Sequence, residues 1–129
     1  MQLQTITSQA VQLLHFLHRH SDEVQSGQNV AVAVGITYQR FVQIASHLRR
    51  DGLLISNSGR YGGYTLGRPA QEISFHDVAL SVQGRVCISH CKGDDKRCQN
   101  AHCKMYEFLL TLQDNMIADM ENTFIADLK

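Results

Sequence analysis

The chain has 129 residues, 43% of them hydrophobic, and its 12 Lys and Arg balance 12 Asp and Glu to a formal net charge of zero. That length and composition suit one compact domain with a real core, and leave little room for a separate long helix unless a second subunit covers it. No apolar run reaches the roughly 20 residues that span a bilayer. The opening Met1–Gln12 lacks the charged start, apolar stretch and cleavage site of a signal peptide, so a cytoplasmic location is expected.

The zero net charge hides an uneven distribution. Between Tyr38 and Arg68, Arg40, Arg49, Arg50, Arg60 and Arg68 face the lone acid Asp51, whereas Glu107, Asp114, Asp119, Glu121 and Asp127 dominate the C-terminal part. A basic middle with an acidic tail is compatible with a nucleic-acid partner that the whole-chain average would argue against.

In chain order, Ile6, Ala10, Leu13, Leu14 and Leu17 recur at helical spacing and predict a first helix over Thr5–His20. Polar residues 21–27 interrupt it. Val30, Ala31 and Val34 predict a short second helix that stops at Gly35. Thr37 is placed to cap a third helix. Within that helix Phe41, Ile44, Ala45 and Leu48 fall on one face and point inward, which leaves Tyr38, Gln39, Arg40 and Gln43 around the remaining surface.

Helix, short turn, helix is the helix-turn-helix arrangement. The next stretch of chain strengthens it. Gly52 ends the third helix, Leu53–Ile55 begins a strand, residues 56–63 are turn-rich, and Tyr64–Leu66 returns as a second strand before Pro69. A glycine-bearing hairpin directly after a recognition helix reads as a wing, with Arg60 at its tip and Gly59, Gly62 and Gly63 permitting positive φ and close backbone approach. Ser74 then caps a helix over Phe75–Val82 that ends at Gly84.

The stretch 85–103 is polar and holds all four cysteines, Cys87, Cys91, Cys98 and Cys103. In a reducing compartment such crowding reads as metal-binding or redox chemistry rather than structural disulfides. Beyond it, Tyr106–Leu128 reads as one long helix. Its stripe includes Leu109, Leu112, Met116, Met120 and Phe124, which predicts packing against a twin subunit. The predicted architecture is mainly α with a small β-hairpin wing: a winged helix-turn-helix DNA-binding unit over 1–84, then a cysteine-rich loop and long C-terminal dimerisation helix over 85–129.

Several segments carry a family resemblance. They are Leu48-Arg49-Arg50-Asp51-Gly52-Leu53-Leu54, the wing Gly59-Arg60-Tyr61-Gly62-Gly63-Tyr64-Thr65-Leu66, Arg68-Pro69, Ile73–Val78, Val82-Gln83-Gly84 and the close Phe124–Leu128. Together they resemble the Rrf2 family of iron–sulfur-cluster and nitric-oxide-sensing regulators, over nearly the whole chain. The resemblance implies a homodimer on palindromic double-stranded operator DNA, with an iron–sulfur cluster on three cysteines before the dimer helix. Aligned back from Ala126-Asp127-Leu128, Cys91, Cys98 and Cys103 fall at or near those three positions. The spacing departs from the common five and five, with six residues between the first pair and four between the second. Tyr106 stands where one branch has an iron-ligating histidine, and Gln2 replaces a usual basic residue.

The function expected from these features is a DNA-binding repressor that answers redox, nitric oxide or iron–sulfur status. Thr37, Tyr38, Gln39, Arg40 and Gln43 would lie at the DNA, and Arg60 and Tyr61 on the wing. Cys87, His90 and His102 are candidates for a fourth cluster ligand. Three alternatives stand beside the cluster: zinc on Cys87, Cys91, Cys98 and Cys103, a thiol switch activated by Lys92, Lys96, Arg97 and Lys104, or no cofactor and no role. Enzyme chemistry is not expected, since no nucleophile and base are paired and neither a phosphate loop nor a zinc-protease helix is present.

Overall fold

The computed structural model describes residues 4–60, 62–86 and 104–128, so Tyr61, Cys87, His90, Cys91, Cys98, His102 and Cys103 lie outside the described residues. Its helices are α1 (Thr5–Arg19), α2 (Gly27–Val34), α3 (Tyr38–Arg50), α4 (Phe75–Val82) and α5 (Lys104–Glu121); strands β1 (Leu54–Asn57) and β2 (Gly63–Leu66) stand between α3 and α4. Mainly α with a β-hairpin is the architecture the sequence predicts.

Periodicity explains the core. Ile6, Ala10, Leu13, Leu14 and Leu17 of α1, Val30 and Ala31 of α2, and Phe41, Ile44, Ala45 and Leu48 of α3 are all buried in one cluster. Val11, Leu53, Leu54, Ala70, Ile73, Val78, Val82 and Ile125 complete it. Burying a large aliphatic or aromatic side chain contributes about 1.5–3 kcal/mol, which is why the apolar stripes decide how the helices pack.

The caps fix where helices start and stop. Ser26 accepts from the Asn29 backbone N–H at 3.2 Å and Thr37 from that of Arg40 at 3.1 Å. Ser74 and Asp77 form a reciprocal capping box, each side chain accepting the other's backbone N–H at 3.0 Å. Between α2 and α3, Gly35 takes φ 80°, and its N–H reaches the Ala31 and Val32 carbonyls. The Ile36 N–H returns to Ala31 at 3.0 Å, closing a tight corner that a side chain at Gly35 would strain.

The hairpin pairs antiparallel, Leu54 with Leu66 through Asn57 with Gly63. It is tied to the α1–α2 connection, where the Tyr64 N–H donates to the Gln25 carbonyl at 2.7 Å. Gly59 has φ 104°, while a Cβ at Gly62 would collide with the Asn57 carbonyl and one at Gly63 with that of Gln25. Both uses expected of the wing glycines are therefore present.

The C-terminal region differs from the expected single helix over Tyr106–Leu128. The α-helix stops at Glu121. Asn122 and Thr123 turn their side chains back onto the Ala118 and Asp119 carbonyls, at 2.8 and 2.9 Å. Such local bonds compete with helix continuation. Phe124 is extended and bridges Ser74, so it lies beyond the helix whose stripe it was expected to share. Ile125 enters the core fully buried, and His15 Nε2 meets the Leu128 carbonyl at 3.0 Å. The chain end therefore packs on the N-terminal unit.

Candidate nucleic-acid interface

The corner at Gly35 and the cap at Thr37 set the direction of α3. With Phe41, Ile44, Ala45 and Leu48 buried, the helix turns Tyr38, Gln39, Val42, Gln43 and Ser46 outward, all exposed. Arg40 is half-buried, and its Nη1 donates to Gln43 Oε1 at 3.1 Å, so two of the expected base-reading side chains are joined. Tyr38 is 52% exposed, and its ring stacks on Phe41 with centroids 6.0 Å apart. Phe41 in turn meets Tyr64 of the hairpin edge-on at 4.9 Å. This aromatic series ties the start of α3 to the wing, and each such ring pair contributes about 0.5–1.5 kcal/mol beyond burial.

Gly27 is a contributor that the sequence reading missed. A Cβ there would lie 2.7 Å from the Phe41 ring and 3.2 Å from that of Tyr38, so the start of α2 must be bare for both rings to sit where they do. Val42 was missed too, though its offset from the buried quartet already places it outside. The helix-turn-helix partner helix also presents polar residues, with Gln28 and Asn29 exposed in its first turn.

The arginines divide into two groups. Arg50 Nη2 donates to the Ser81 carbonyl at 3.2 Å and to Asp51 Oδ2 at 3.3 Å, and Arg68 lies 3.7 Å from Asp77. These two brace the end of α3 and the wing exit against α4. Ser81 and Arg50 hold the Asp51 carboxyl below its usual range. The single proton of the Ser81 hydroxyl is shared with the His47 carbonyl, to which it donates at 3.0 Å, so the guanidinium is the steadier of the two neighbours. Arg49, late in α3, and Arg60, in the turn between the strands, are both exposed. The basic middle of the sequence is thus partly structural and partly surface.

The expected dimer stripe is present on α5. Leu112 is exposed and Leu109, Met116 and Met120 are half-buried, while Met105, Phe108 and Leu110 add further exposed apolar surface. None of the helix's residues is buried. Among the described residues no group of three or more His, Cys, Asp or Glu is placed to hold a metal ion, and none of their helices is long and apolar enough to cross a membrane.

A helix-turn-helix whose second helix presents a polar arc, followed at once by a two-stranded wing, defines the winged-helix class of DNA-binding regulators. Within that class, the chain belongs to the Rrf2 family, described as iron-dependent transcriptional regulators, which it matches over residues 3–129. It is 32% identical to the HTH-type transcriptional regulator IscR of Serratia proteamaculans over 95 residues, 73% of this chain and 57% of that protein. To the HTH-type transcriptional repressor NsrR of Streptomyces coelicolor it is 25% identical, over 85% of this chain and 74% of the relative. Among solved structures, CymR, described as the global cysteine regulator of B. subtilis, superposes with a TM-score of 0.83 at 20% identity, covering 98% of this chain and 95% of that one. The protein is a transcription regulator, not an enzyme.

Proposed function

We propose that this regulator binds a twofold operator as a cytoplasmic homodimer, acts as a repressor, and changes its DNA affinity with the state of its cysteine segment. The outward arc of α3, joined by the Arg40–Gln43 bond at 3.1 Å, is the observation that carries the DNA-binding half of this reading. In it, Thr37, Tyr38, Gln39, Arg40 and Gln43 meet the major groove, while Arg60 and Tyr61 reach the adjacent backbone or minor groove. Twofold symmetry puts the half-sites about one helical turn, roughly 10 base pairs, apart. Leu109, Leu112, Met116 and Met120 of α5 form the interface between subunits, joined by Phe124 from the returning tail.

The sensing half rests on the donor set. Four thiols within residues 87–103, between the α4 unit and α5, fit the soft-ligand chemistry of an iron–sulfur cluster. Cys91, Cys98 and Cys103 would hold it, with Cys87, His90 and His102 as fourth-ligand candidates. When bound, such a cluster supplies one-electron chemistry and lability toward oxidants or nitric oxide. The chain's own contribution is connection: residues 87–103 lead directly into α5, and the tail after α5 packs on α1 through Ile125 and Leu128 and bridges Ser74, the cap of α4, through Phe124. A change in how that segment is held would reseat α5 and so alter the spacing of the paired α3 helices.

The six-and-four cysteine spacing favours a second reading, in which the same fold works without a cluster as a thiol/disulfide switch or with the loop stapled by zinc. One set of experiments tests both readings. The triple variant Arg40→Ala, Gln43→Ala, Arg60→Ala should lose sequence-preferring binding at fixed salt, and unchanged operator affinity would overturn the DNA assignment. Protein purified without oxygen should be coloured and carry iron and sulfide in comparable amounts. Colourless protein that takes up neither on reconstitution, yet loses DNA binding on mild oxidation, would establish the switch. Colourless protein holding stoichiometric zinc would establish the staple.

A further inference from the structure

Val42 sits one helical turn after Tyr38 on the outward side of α3 and is 45% exposed. Gln39, Gln43 and Ser46, its neighbours on that side, are polar and exposed. An exposed valine does nothing for the helix itself: its helix propensity is below that of Gln, Lys or Ala, and it buries no core surface there. Its chemistry suits one feature of the major groove. Of the groups that the bases display there, only the thymine 5-methyl is apolar, whereas the others donate or accept hydrogen bonds.

We propose that Val42 is a specificity-determining residue that packs against a thymine 5-methyl, in the base pair next to the one addressed by Gln43. The inference deepens the operator-binding reading and rests on it. Two further observations support it. A β-branched side chain in a helix keeps essentially one χ1 rotamer, so the valine methyls are held in place before DNA arrives. Gln43, the next residue, is fixed by Arg40, which donates to its Oε1 and leaves its amide nitrogen to donate to a purine N7. Consecutive helix positions are rotated by about 100° and rise by about 1.5 Å, which directs this apolar and this polar contact to neighbouring steps of one groove.

The test uses the full chain and duplex sites recovered from a random-sequence pool, with each thymine replaced singly by deoxyuridine, which removes only the methyl. For the wild type, one thymine per half-site, adjacent to the purine whose identity ceases to matter in Gln43→Ala, should show a loss of about three- to tenfold. Val42→Ala should bind the unmodified site weaker by a similar factor and be indifferent to that deoxyuridine. Its affinity for random-sequence DNA, set by phosphate contacts, should be unchanged. Because Val42 is exposed, its thermal melting should match the wild type. If Val42→Ala keeps the wild-type loss at every thymine, or if no thymine methyl matters to a wild type that still prefers its operator, this inference is overturned and the operator reading stands. A wild type with no sequence preference at all would overturn the operator reading, and this inference with it.

Discussion

α3 and α5 both carry apolar residues at helical spacing, and the two meet opposite fates. On α3 the quartet Phe41, Ile44, Ala45 and Leu48 is buried, with the helix packed against α2, α4 and β1, and the polar arc, Val42, Arg49 and Arg50 meet solvent. On the 18-residue α5 no residue is fully buried, although Phe108, Leu109, Leu112, Met116 and Met120 line it. An apolar stripe therefore says that a helix wants a partner without saying which molecule provides it. For α3 the partner is the rest of this chain. For α5 the stripe calls for surface that the described residues do not supply, and a second copy is the proposed source.

The largest expected effect tests the buried helix. Phe41 is fully buried and touches both Tyr38 and Tyr64, so Phe41→Ala should lower unfolding free energy by about 3–5 kcal/mol in denaturant titration. For a domain whose total stability is of the order of 5–15 kcal/mol, that loss also removes DNA binding. A cost below about 1 kcal/mol would mean that α3 is not seated as described.

A second variant separates the two helices. Met116→Asp adds a charge in the middle of the α5 stripe, where an interface would strip it of water with no counter-charge to recover the loss. Sedimentation should show a dimer for the wild type and a monomer for Met116→Asp, with helix content largely kept because α5 makes little of the core. A well-folded dimeric variant would place the interface elsewhere.

The smallest effect concerns the anchor between the two regions. Ser74 accepts the Asp77 N–H, and its own backbone bridges Phe124, so it stands where the wing unit meets the returning tail. Ser74→Ala removes only the cap and should lower stability by about 1 kcal/mol, with dimerisation intact. A larger loss accompanied by dissociation would show that this junction also holds α5 in place.

Elements whose signals are local were legible along the chain. The period of 3.6 identified α1, α3 and α4; Thr37, Ser74, Gly35 and Gly52 marked helix ends through side-chain or glycine chemistry acting within a few residues; and the glycine-rich run between two short apolar strands marked the wing. The polar arc of α3 followed by subtraction, once the buried quartet was known. Features that depend on distant chain segments emerged only on folding. Nothing local distinguishes Ile125 as a core residue from a continuation of the α5 stripe, because its burial depends on the Ile73–Phe75 backbone, which bonds the returning tail through Ile125 and Thr123. Likewise Arg50 and Arg68 are indistinguishable in sequence from Arg49, and only the position of α4, bringing Ser81 and Asp77 within reach, gives the first two their partners. Local bonding and periodicity are written along the chain, whereas which surface a stripe or a charge finally meets is set by three-dimensional placement.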